Sequence, residues 1–151
     1  MLETIKEIIY ILASLATIVA IVIAIFQYFS IRKQSKIELL TKYNARYCIN
    51  EDMGRVIKYL EKYDGLNHHG EVYKPDDHQV EMFMRFFEEI ELLIKQNAME
   101  EETVYYMFSY YVLKFEEIIK EWPHIEYNTK NWKEFHEFVT RMKKINQNNT
   151  N

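Results

Sequence analysis

Glycine and proline are nearly missing from this chain, with three and two copies in 151 residues. These residues allow tight turns and interrupt regular structure, so their scarcity excludes folds made of many short strands and turns, and points to helices. Cysteine occurs once, at Cys48. An internal disulfide and a cysteine-based zinc site are therefore excluded, in keeping with a reducing compartment. An excess of positive charge is lacking too. The net charge is −4, and setting aside Glu3, Lys6 and Glu7, which sum to −1, leaves −3 on the rest. No strong nucleic-acid surface follows from that balance.

The most informative absence is local. From Ile8 to Ile31, between Glu7 and Arg32, there is no charged residue, a gap of about 24 positions. Roughly 20 apolar residues suffice for a helix to cross the hydrocarbon of a bilayer, where only helices and closed barrels satisfy their own backbone groups. The stretch therefore reads as a single transmembrane helix, residues 1–31 comprising that helix and its short extracytoplasmic N-terminus. A cleaved secretory signal fits less well. The start carries Glu3 and Glu7 beside Lys6, the apolar run is too long, and Phe26, Gln27, Tyr28 and Phe29 follow Ala24 where cleavage would fall. A buried helix of a soluble domain is the remaining alternative.

Orientation follows from the basic residues. Only Lys6 precedes the span, whereas Arg32, Lys33, Lys36, Lys42 and Arg46 follow it. The bulk of the chain is thus expected in the cytoplasm, with the span anchoring it in the membrane. Tyr10 at one end and Tyr28 and Phe29 at the other suit the interfacial belts. At 100° per residue, Ala13, Ala16, Thr17, Ala20, Ala24 and Gln27 fall in one stripe, and bulky residues such as Leu12, Leu15, Ile18, Val22 and Phe26 cover the opposite arc. Small residues let helices approach closely in lipid, and polar ones bond across the contact, so this stripe is the expected pore-lining or helix-packing face.

The remaining 120 or so residues are enough for one compact unit. It is expected to be all-α, a cytoplasmic helical domain over residues 32–146 with a frayed polar tail over 147–151. The 12 tyrosines and nine phenylalanines supply its core. Apolar positions three and four apart run from Ile37 to Tyr63, and the break is expected at Asn50, Glu51 and Asp52. A loop from Asp64 to Asp77 follows. Its His68 and His69, with His78, lack the spacing of a metal-binding face, so no metal is assigned. Asp76 is in capping-box register with Gln79, opening a helix over about 78–96 that Asn97 stops. The carboxylates Glu81, Glu88, Glu89 and Glu91 read as its solvated side. The next helix spans about 100–122 and ends at Pro123. Its Tyr105, Tyr106, Tyr110 and Tyr111 read as core or subunit contacts, because no basic residue interleaves with them as base-stacking surfaces require. The last helix is expected to start near Asn131, with Trp132, Phe135, Phe138, Val139, Met142 and Ile145 inward.

The stretch FFEEIELLIKQNAMEEETVYYMFSYY, from Phe86 to Tyr111, followed by Trp122, resembles small bacterial helical proteins. Together with the N-terminal span and the Tyr-rich domain, it is similar to the membrane-anchored accessory proteins of type VI-B CRISPR systems. That resemblance implies a HEPN-like fold and a homo-oligomer that forms a membrane pore in antiviral defence beside an RNA-guided RNase effector, with membrane lipid as its surroundings and no cofactor. HEPN ribonucleases carry an Arg, four to six residues and then a His. Here Asn146 stands five residues after Arg141, and His136 precedes it. Asn is no acid or base, so Arg141 and His136 are the only catalytic candidates, in the wrong order. A single-span adaptor for a cytoplasmic partner is the alternative reading, and an anchored ribonuclease a further one.

Overall fold

The computed structural model describes residues 2–62, 74–120, 122, 125–127 and 130–150, with the backbone alone at 2, 5, 8, 9 and 150. Among them there is no strand. Five helices follow in order: α1 (Leu2–Ile49), α2 (Glu51–Lys62), α3 (Asp77–Lys95), α4 (Glu101–Ile119) and α5 (Lys133–Thr150), the last entered through a 3-10 turn at Lys130–Trp132. The expected loop containing His68 and His69, and the stop at Pro123, lie outside the described residues. The chain divides into two units, Met1–Glu38 and Leu39–Asn151.

The first unit is one helix without glycine or proline. Every described side chain from Glu3 to Ser35 is exposed, including Phe26 at 73 %. This is the one helix among the described residues long and apolar enough to cross a membrane.

The second unit is a bundle in which α3 packs on both α2 and α5, and α4 on α5 and α2. Its start and stop signals are local and act as expected. Asn50 ends α1 and caps α2, its Oδ1 accepting from the backbone N–H groups of Asp52 and Met53 at 2.9 and 3.1 Å. Asp76 and Gln79 close a reciprocal capping box at α3. Asn97 sits at φ 55°, the left-handed region that asparagine tolerates, while Ala98 and Asn97 donate back to the carbonyls of Leu93 and Ile94 at 2.9 Å each. Asn131, expected near the start of the last helix, lies inside the 3-10 turn, and α5 begins at Lys133. The polar end, expected to fray, is helical through Thr150.

The core is aromatic. Phe83, Phe86 and Phe87 of α3 are fully buried, as are Phe135 and Phe138 of α5. Phe87 stacks on Phe138 with centroids 5.2 Å apart, and Phe83 lies 4.7 Å from Phe115 of α4. Tyr47, from the last turn of α1, enters this cluster between Phe86 and Phe108, at 5.4 and 5.1 Å. Its hydroxyl is buried without a hydrogen-bond partner. One residue on, Cys48 is exposed.

Candidate functional site

Two sets of residues carry the functional expectations. In the first unit, Ala13, Ala16, Thr17, Ala20, Ala24 and Gln27 are all exposed. The Thr17 hydroxyl donates to the Ala13 carbonyl and that of Ser14 to the Tyr10 carbonyl, both at 2.9 Å. These bonds within the helix remove two polar hydrogens from any apolar surroundings. The Gln27 amide has no such partner among the described residues, and it closes the stripe of small residues at one end.

In the second unit, the structure places Arg141 and His136 on one open cleft of about 810 Å³ along α5, lined also by Lys130, Lys133, Lys144, Glu101 and Glu137. The Arg141 guanidinium is already engaged. Its Nε and Nη2 donate to Oε2 and Oε1 of Glu91 at 3.0 and 2.7 Å, and its Nη1 donates to Oε2 of Glu101 at 2.8 Å. These bonds, with Glu91 contributing most, push the arginine pKa further up against the opposing effect of burial. Such a two-pronged pair is the strongest side-chain contact a guanidinium makes.

Glu91 is the correction. The sequence places it with Glu81, Glu88 and Glu89 on a solvated side, yet its side chain is 0 % exposed. A carboxylate removed from water needs a bonded cation, which Arg141 supplies. The signal lay in the spacing, because Glu91 shares the stripe of Met84, Phe87 and Ile94 and not the outer one. Glu116, not marked in the sequence, repeats the arrangement beside Val112, Phe115 and Ile119. It is bonded to Lys120 at 2.6 Å and Lys143 at 2.9 Å. Burial raises its pKa, but the two ammonium groups together outweigh that and hold the carboxyl below its ordinary range.

His136 is half-buried, and its Nε2 meets the backbone carbonyl of Tyr127 at 2.8 Å. A carbonyl only accepts, so that nitrogen carries the proton and Nδ1 is left as the acceptor of the neutral ring. The ring lies edge-on to Tyr127 at 4.5 Å. Lys133 is drawn to Glu137 at 3.6 Å, and Lys95 also bonds Glu137 and Glu134. The cleft thus holds a histidine fixed in one tautomer and an arginine serving as counter-ion to a buried carboxylate.

Among the described residues there is no cluster of three or more His, Cys, Asp or Glu side chains able to hold a metal. The chain matches no protein-family model, no curated protein and no solved structure.

Proposed function

We propose that this chain is a single-pass protein of the bacterial cytoplasmic membrane, with its helical domain on the cytoplasmic side. It works as an assembly of identical copies that opens a conduit through the bilayer in antiviral defence, alongside an RNA-guided RNase. One observation carries the reading. Every side chain of α1 from Tyr10 to Ser35 is exposed, 0 % of its apolar window being buried by the rest of the chain. Apolar surface of that extent is covered by lipid, by other copies of the helix, or by both. The excess of Lys and Arg after the span supports the orientation. The stripe ending in Gln27 supports contact between copies, since an amide in hydrocarbon needs a bonding partner. The conduit and the defence role rest on the resemblance to the type VI-B accessory proteins.

The test is the mass of the detergent-solubilised particle against the 18.5 kDa chain. A particle of several copies is expected, and Ala20→Phe, which places a bulky ring in the stripe, is expected to reduce both particle size and protection from phage. A lone chain in detergent and in bilayers, with protection unaffected by Ala20→Phe, overturns the reading. The adaptor reading is favoured by one feature, the exposed rings of Tyr106 and Tyr110, which a recruited partner could cover. It requires a lone anchored chain that retains a cytoplasmic protein.

A further inference from the structure

The outward side of α4 carries a ridge with an unusual internal symmetry. Glu102, Tyr106, Tyr110 and Lys114 follow one another at steps of four, so they form one inclined row on the helix surface. Tyr106 is 79 % exposed and Tyr110 62 %. Neither ring is loose. Tyr106 lies edge-on to Tyr105 at 5.8 Å, and Tyr110 edge-on to Tyr111 at 5.1 Å. The two backing rings are tied down in turn, the Tyr105 hydroxyl donating to Asn146 Oδ1 at 2.7 Å and the Tyr111 hydroxyl to Glu61 Oε1 at 3.0 Å. The Lys114 ammonium leans over the Tyr110 ring at 5.6 Å. Glu102, at the other end of the row, has no ion partner among the described residues.

The order Glu102, Tyr105, Tyr106, Phe108, Tyr110, Tyr111, Lys114 reads the same outward from Phe108 in both directions, except that the charge at one end is the opposite of the charge at the other. A two-fold axis through the ridge at the level of Phe108 therefore lays Tyr106 of one copy beside Tyr110 of another. It also brings each Glu102 against a Lys114, twice over. Self-complementarity of this kind is what an isologous interface requires. Rows at steps of four pack at about −50° between helices, and tyrosine gives large rigid contact area at low cost in rotamer freedom.

We propose that this ridge of α4 is a two-fold contact with a second copy of the same chain. The inference rests on the self-association reading above and assigns it a surface outside the membrane helix. A stable interface covers about 800 Å² on each partner, more than one ridge supplies, so the contact forms where the anchor already concentrates the copies in one bilayer.

The experiment uses full-length chains in lipid vesicles with Cys48→Ser as background. Chains carrying Glu102→Cys are mixed with chains carrying Lys114→Cys and oxidised. Within one chain these positions stand twelve residues apart, about 18 Å along the helix, too far to bridge. Crosslinked dimers in the mixture, with none from either chain alone, are the expected result. In a second arm, without added cysteines, Glu102→Lys and Lys114→Glu each lower the paired fraction about tenfold, as expected for two ion pairs replaced by like-charge contacts, and the double exchange restores it. Helical content and melting of each variant confirm that the fold is kept. Crosslinks as abundant from the single chains as from the mixture, or a double exchange that fails to restore pairing, overturn the proposal. If the native particle contains several copies but no 102-to-114 crosslink forms, this surface alone is wrong. If the native chain is also alone, self-association falls with it.

Discussion

Arg141 of α5 holds Glu91 of α3 through two parallel hydrogen bonds, and Glu91 has no exposed surface. The pair joins the two helices that share the Phe87 and Phe138 stack. Its role is to neutralise a carboxylate enclosed in the bundle. Arg141→Met strands that carboxylate and is expected to destabilise the second unit by about 3–5 kcal/mol. Adding Glu91→Leu in the same chain removes the stranded charge and is expected to recover most of the loss. Urea midpoints of the single and double variants measure both. A single variant as stable as the parent contradicts the assignment.

Tyr47 brings a hydroxyl into the aromatic cluster without a partner for it. Burial drives its pKa well above the ordinary phenol value, so the group stays neutral. Tyr47→Phe keeps the ring contacts with Phe86 and Phe108 and deletes only the unsatisfied oxygen. A gain of about 1 kcal/mol is expected, read as a higher thermal midpoint.

Gly54 lies inside α2, its N–H bonded to the Asn50 carbonyl at 2.9 Å, and nothing stands within 4 Å of the place a Cβ would take. Gly54→Ala reduces the freedom of the unfolded chain at no steric cost. It is expected to stabilise by about 0.5–1 kcal/mol in a denaturant titration.

Glu116 sets a pH dependence. Burial alone would raise its pKa, but Lys120 and Lys143 hold the folded value below the ordinary 4.5. The unfolded chain then binds the proton more readily than the folded one near that pH. The contribution of this carboxylate is complete above about pH 5 and is lost as pH falls through the depressed folded value. Glu116→Gln is expected to flatten that part of the acid limb, measured by comparing stability at pH 3 to 6 in the two proteins.

What could be read in advance was whatever depends on near neighbours in the chain. Asn50 and the Asp76 and Gln79 pair act through backbone groups two or three residues away, and Asn97 takes the left-handed turn that few other residues accept, so their residue types alone announced them. The inward positions of α5 were equally legible, because Phe135, Phe138 and Met142 repeat at helical spacing. Glu91 was assigned to the solvated side and Glu116 was not marked. Their burial is stabilised by Arg141 and Lys143 on a distant helix, and no local pattern tells which cation a carboxylate will meet. Arg141 was singled out only through the HEPN motif that the resemblance implies, although its charge is taken up within the bundle. The small-residue stripe of α1 is a pattern of the sequence alone, because every described side chain from Glu3 to Ser35 is exposed and exposure does not set the stripe apart.

The lone thiol at Cys48 stands on the surface. A maleimide dye therefore attaches once per polypeptide with no mutation, and the number of bleaching steps from a single fluorescent spot in a supported bilayer equals the number of chains in that spot.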